Sequence, residues 1–162
     1  AGANVVIYTG YYPDGGALAK ALNDSGWKGQ FIGGDGVLNS AYIDVAGKAA
    51  AEGTKFTAPA VPFEVVANAA QQAAFTKATG LKSAAGHVYV TEAYNATNVF
   101  LTCISKGNTT RAAIQKCVTN GSFLTIDGKT TIKFTFAGEV VGGAPVGGFQ
   151  VVNGVIKYFG AV

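Results

Sequence analysis

The sequence predicts an α/β fold built on a parallel sheet, and three observations carry that expectation. Asn4-Val5-Val6-Ile7-Tyr8 and Phe31-Ile32 are apolar runs that break off at glycine, in Thr9-Gly10-Tyr11-Tyr12-Pro13-Asp14 and in Gly33-Gly34-Asp35-Gly36. Between them Gly15 to Ser25 reads as a helix closed by Gly26, which makes a β-α-β unit with parallel strands. Of the 162 residues, 49% are hydrophobic, enough for a core, yet no apolar run reaches the ~18 residues that suggest a membrane span.

The remaining elements follow in order. Asn39 or Ser40 is placed to cap a short helix through Ala46 that Gly47 stops. Thr54 to Ala58 reads as a third strand, ended by an extended crossing at Ala58-Pro59 and Val61-Pro62. Ala67 to Thr79 is rich in helix-forming Ala and Gln, and Gly80 terminates it. Tyr89 to Ser105 is the most apolar helical pattern and is expected to be buried; Thr110 to Val118 forms the next helix. Beyond Gly121 the period changes: Thr130 to Phe136 alternates, with Ile132, Phe134 and Phe136 on one face of an expected strand. Val140 to Gly148 is a Gly-rich link containing Pro145, and Phe149–Val152 and Val155–Phe159 flank the hairpin dipeptide Asn153-Gly154.

Composition and spacing argue against several functions. The formal charge is only +3 with scattered basic residues, whereas nucleic-acid binding needs a basic stripe. With one histidine, His87, and two cysteines no metal cluster can be assembled. Reading a nucleotide fingerprint from Gly34 puts Asn39 where the last glycine is required, and Asp127-Gly128-Lys129-Thr130 imitates a P-loop with Phe123 in place of its first glycine. No G-x-S-x-G elbow exists, although His87 leaves a Ser-His-Asp arrangement open. Neither a catalytic constellation nor a cofactor is expected, and a small hydrolase or nucleotide enzyme stays the least favoured reading.

Tyr11 and Asp35 fall just past the carboxyl ends of neighbouring parallel strands, the edge where open α/β sheets bind ligands. An aromatic and a carboxylate there suit a small molecule carrying a cationic amine. The residues alone also allow a blander assignment, with Asp35 serving a Gly-rich turn and Tyr11 packing on Pro13 at the helix entry.

The two turns resemble the second lobe of type I periplasmic solute-binding proteins, especially the Leu/Ile/Val receptors of ABC importers. The likeness continues in order through Val45-Ala46-Gly47, Ala51-Glu52-Gly53, Glu92-Ala93-Tyr94-Asn95-Ala96, Gly128-Lys129 and Phe134-Thr135-Phe136-Ala137-Gly138 to Phe149-Gln150-Val151-Val152-Asn153-Gly154. It implies a type I periplasmic-binding-protein fold, present as a C-terminal portion that contributes to two lobes. Residues 1–60 would form the second-lobe β-α-β core, 61–147 would belong to the first lobe, and the hairpin 148–162 would return to the second. Pro59, Pro62 and Pro145 would lie in hinge strands. Asp35, at a position where the family has Glu or Asp, would pair with a ligand ammonium; Tyr11 would pack over the ligand, and Tyr89 would line its side-chain pocket.

By the same resemblance the function is non-catalytic capture of a branched-chain or other small amino acid by hinge closure, followed by docking on the permease subunits of an ABC importer. The location implied is periplasmic or extracellular, secreted or lipid-anchored. The chain begins at Ala1 without Met and its relatives are considerably longer, so a C-terminal half with weak affinity of its own is expected. A receptor for a short-chain amide, urea or aromatic acid is a close alternative. Another is a free-standing fragment that self-assembles through the surface around Tyr94 left by the missing lobe. Cys103 and Cys117 lie on successive helices joined by a short Gly107-Asn108 connection; they can form a disulfide or stay buried thiols, and a secreted context favours the disulfide.

Overall fold

The computed structural model describes residues 2–81, 84 and 87–162. The chain divides into two units: Ala1–Pro62, Ala84–Val88 and Pro145–Val162 form the first, and Phe63–Ser83 and Tyr89–Ala144 the second.

The first unit is a sheet with helices. In chain order it holds β1 (Val5–Tyr8), α1 (Tyr12–Asp24), β2 (Gln30–Gly33), α2 (Ala41–Ala46), α3 (Lys48–Ala51) and β3 (Lys55–Ala58). Its sheet has the order β1-β2-β3 followed by the C-terminal hairpin (Gly147–Val152 and Val155–Ala161). The first three strands are parallel, and the hairpin adds antiparallel to β3. Period-2 alternation decides what is buried: Phe31, Phe56, Phe149 and Val151 are buried, whereas Val5 and Ile7 on β1 stay exposed. Tyr42 of α2 meets Phe56 edge to face at 5.3 Å, and its hydroxyl shares a 2.9 Å hydrogen bond with Thr54 Oγ1. Burial pushes the Tyr42 phenol above its ordinary pKa, and the bond to Thr54 opposes that shift. In the hairpin turn Asn153 and Gly154 both have positive φ, 57° and 71°, as a type I′ turn requires.

The second unit contains α4 (Phe63–Val66), α5 (Ala69–Thr79), α6 (Val90–Ser105), α7 (Arg111–Asn120) and the two-residue strands β4 (Phe123–Leu124) and β5 (Thr131–Ile132). The hairpin strands are accordingly β6 and β7. A capping box starts α5: Asn68 Oδ1 accepts the Gln71 N–H, and Gln71 Oε1 accepts the Asn68 N–H. Left-handed Gly80 closes it. Cys103 of α6 and Cys117 of α7 are joined as a disulfide, their Cα atoms 5.9 Å apart. Val99, Cys103 and Phe123 form a small core there, flanked by Cys117, Val118 and Phe134.

Three expectations are corrected and one open choice is resolved. Helix α1 begins at Tyr12 rather than Gly15, because Pro13 fits the first turn, where its missing N–H is not needed. Of the two residues placed to cap α2, Ser40 holds the N-cap position but its side chain makes no capping bond, whereas Asn39 Oδ1 accepts the Ala41 N–H at 2.9 Å. The strand expected over Thr130–Phe136 shrinks to Thr131–Ile132, since the chain reverses through a turn with Gly138 at φ 89° and leaves Phe136 99% exposed. Finally, α6 buries only Thr91, Val99 and Cys103. The core at α7 and Phe123 covers one stripe, and Tyr94, Phe100, Leu101 and Ile104 stay exposed.

Candidate functional site

The candidate site is made by two turns at the carboxyl edge of β1 and β2. The strands run in register from Val5↔Gln30 to Tyr8↔Gly33, so the segments leaving them emerge side by side. Backbone hydrogen bonds stitch the turns together. Gly34 N–H donates to Tyr8 O at 3.2 Å, and Tyr12 N–H donates to Gly36 O at 3.0 Å. Glycine is required at the contact: a Cβ on Gly36 would lie 2.7 Å from Gly10 O and 3.3 Å from Tyr11 Cδ1.

Tyr11 is the extended N-cap residue of α1, with φ −108° and ψ 163°. Its carbonyl accepts the Gly15 N–H at 2.9 Å, and its side chain is 72% exposed. Asp35 occupies the turn after β2, and its side chain is also exposed. The turn is closed behind it by Val37 N–H to Gly34 O and Leu38 N–H to Asp35 O, both 3.1 Å. The sheet therefore brings an aromatic and a carboxylate to one edge, facing solvent, on backbone that neighbouring strands fix. That pairing offers an apolar surface and an anionic acceptor to a small amine.

Tyr89 belongs to the second unit, where it precedes α6 in the left-handed conformation (φ 69°, ψ 13°). A bulky residue there is uncommon, and such conformations concentrate at ligand sites and switch regions. Pro62 and Pro145 stand where the chain passes between units, and Pro59 lies just after β3. Two further passages, after Ser83 and after Val88, enclose Ala84–Val88. Within it, His87 forms an antiparallel bridge with Asn39. His87 is thereby tied to the segment that follows the Asp35 turn, a placement with no local signal in the sequence. Among the described residues no group of three His, Cys, Asp or Glu side chains could hold a metal.

No family model matches the chain. In sequence it is 32% identical over 123 residues to Leu/Ile/Val-binding protein homolog 3 of Brucella melitensis, a match covering 75% of this chain and 32% of that protein. In structure it superposes on a leucine-binding protein of Thermotoga maritima with a TM-score of 0.77 and 22% identity, over 98% of this chain and 44% of that one. It matches a branched-chain amino acid transporter substrate-binding protein of Streptococcus pneumoniae, solved with isoleucine, at a TM-score of 0.77 and 17% identity, over 98% and 44%. The chain spans less than half the length of each. The structural likeness establishes the fold, and the sequence match supplies the kinship. The chain has the type I periplasmic-binding-protein fold and is similar in sequence, over three quarters of its own length, to a Leu/Ile/Val-binding protein homolog.

Proposed function

We propose that the chain is part of the solute-binding component of an ABC importer and supplies one wall of a site for a branched-chain or other small amino acid. One observation carries this reading: the Tyr11 and Asp35 turns are locked together at the carboxyl edge of adjacent parallel strands by the Tyr12–Gly36 hydrogen bond. Asp35 would pair with the ligand ammonium, a charge-assisted bond of about 1.5–3 kcal/mol. Tyr11 would cover the ligand's apolar stem, and Tyr89 would contribute from the other unit.

In this reading residues 1–60 and 148–162 belong to one lobe and 61–147 to the other, with Pro59, Pro62 and Pro145 in strands that let the lobes close. The loaded protein would dock on membrane permease subunits from the periplasmic or extracellular side, without catalysis or cofactor. Groups for the ligand carboxylate would come from outside this chain. Affinity of the chain alone is then expected in the millimolar range, about −4 kcal/mol.

The test is a titration of the isotope-labelled chain with leucine, isoleucine and valine, and with acetamide and urea as comparators, followed by amide chemical shifts. Shifts centred on Tyr11 and Asp35, and lost in Asp35→Asn, are expected. Shifts elsewhere, or none at these two turns, would discard the amino-acid reading. A second reading has its own observation, the exposed Tyr94, Phe100, Leu101 and Ile104 of α6: a surface of this kind suits self-association. A concentration-dependent sedimentation coefficient would favour it.

A further inference from the structure

We propose a second binding site in the first unit, for a small organic cation, at the end of the sheet opposite Tyr11 and Asp35. A cavity of about 170 Å³ lies there, lined by Asn23 near the end of α1, Trp27, Gln30 at the start of β2, and Glu52 and Thr54 before β3. It is smaller than the ~300 Å³ at which sites for drug-sized ligands begin, so it suits a single head group with a short stem.

Three of its walls are fixed by contacts of their own. The Trp27 indole donates from Nε1 to Ala3 O at 2.8 Å, and its ring lies so close over Gly29 that a Cβ there would collide with it. Glu52 accepts the backbone N–H groups of Asn153 and Gly154, one on each carboxylate oxygen, at 2.9 and 3.1 Å. A carboxylate has about four acceptor positions, so two remain along with the charge. Gln30 spends its amide nitrogen on Phe31 O and Gly53 O, at 2.8 and 2.9 Å, which leaves its amide oxygen as the group to offer. No Lys, Arg or His is among the described residues lining the cavity. An anchored aromatic ring, a carboxylate and a spare amide oxygen, with no cationic residue in the lining, are the recognition chemistry of an alkylammonium or alkylguanidinium group. An anion would meet Glu52 and be repelled.

Trp27 is the only tryptophan in the chain, so its selectively excited fluorescence reports from a wall of this cavity. The chain is titrated with n-butylamine at neutral pH as a free solute and with N-acetylarginine amide as the equivalent of a partner's side chain. Matched sodium chloride and n-butanol serve as controls. A saturable emission change with at least one of the two cations is expected, weakened about tenfold or more in Glu52→Gln. Asn23→Lys gives an independent arm, because it tethers a competing ammonium at the cavity while leaving the hairpin contacts of Glu52 intact; it too should weaken binding about tenfold. Saturation by the arginine derivative alone assigns the site to a partner's side chain, and saturation by butylamine alone assigns it to a free amine. A linear response equal to that of sodium chloride, equal binding of n-butanol, or no loss in Asn23→Lys would overturn the proposal.

Discussion

Glu52 Oε1 accepts the backbone N–H of Asn153 at 2.9 Å, a hydrogen bond between residues 101 apart in the chain, while Oε2 takes the neighbouring N–H of Gly154 at 3.1 Å. Successive N–H groups in a turn with positive φ make a concavity for an anion, and the exit of α3 places a carboxylate in it. The contact pins the tip of the C-terminal hairpin to the β-α-β part of the first unit. Glu52→Ala is expected to cost about 1–2 kcal/mol, since both hydrogen bonds are charge-assisted but exposed. Glu52→Gln, which keeps one acceptor, should lose less. Urea denaturation of the three proteins measures this; an unchanged midpoint for Glu52→Ala would mean that the clamp is only a geometric coincidence.

The Cys103–Cys117 disulfide closes a short loop, with 14 residues of sequence separation, between α6 and α7. A loop of that size is associated with about 3 kcal/mol in the chain-entropy account. The core beside it is small, centred on Val99, Cys103 and Phe123, so the cross-link matters more there than it would under a large core. Reduction, or the Cys103→Ala/Cys117→Ala double variant, should lower the melting of the helices in the second unit before the sheet of the first unit is affected. Circular dichroism melts with and without reductant would show two separated transitions. A single transition unmoved by reductant would contradict the expectation.

Much of the first unit is legible in the sequence because its signals are local. The run Val5–Tyr8 ended by Thr9-Gly10, the run ended by Gly33-Gly34, and Asn153-Gly154 each specify a strand and its exit within a few residues. The failures are non-local or competitive. Alternation over Thr130–Phe136 promises a strand, yet Thr135 and Glu139 close a turn, Thr135 N–H to Glu139 O at 2.8 Å, that the alternation does not encode. The Glu52 clamp has no local signal in the sequence, because its partners lie about a hundred residues on. The Asn39–His87 bridge and the left-handed Tyr89 are equally silent; tertiary contacts, not propensity, must support a bulky residue at that φ.

Asp127 offers a pH test. The Thr125 hydroxyl donates to it at 2.6 Å, the Thr130 hydroxyl at 2.6 Å, and the Lys129 and Thr130 N–H groups at 2.8 and 2.9 Å. These donors, Thr125 first, hold its carboxyl well below the usual carboxylate range. A depressed folded-state pKa stabilises the fold above the unfolded value, about 3.9 for Asp. That contribution fades as pH falls below this value and is lost once the depressed pKa is passed. The carboxylate is only partly buried, so solvent screening keeps the effect modest. Asp127→Ala should therefore melt earlier than the native chain at pH 7, with the gap narrowing under strong acid. A gap that widens on acidification would reverse the sign and discard this account.

Gly36 and Gly34 flank Asp35, and their surroundings differ in a way that separates packing from chemistry at the candidate site. A Cβ on Gly36 would sit 2.7 Å from the Gly10 carbonyl oxygen, whereas one on Gly34 would meet nothing within 4 Å. The Gly10 carbonyl is backbone beside the end of β1 and cannot swing aside as a long side chain could. Gly36→Ala must then part the two turns and strain the Tyr12–Gly36 hydrogen bond, an overpacking cost of about 1–3 kcal/mol. Gly34→Ala should be within about 0.5 kcal/mol of the native chain. If the stitched turns present Tyr11 and Asp35 to an amino acid, Gly36→Ala also loses leucine-dependent shifts that Gly34→Ala retains. Equal stability and equal shifts in both variants would show that the close approach of Gly10 and Gly36 does not set the geometry of this edge.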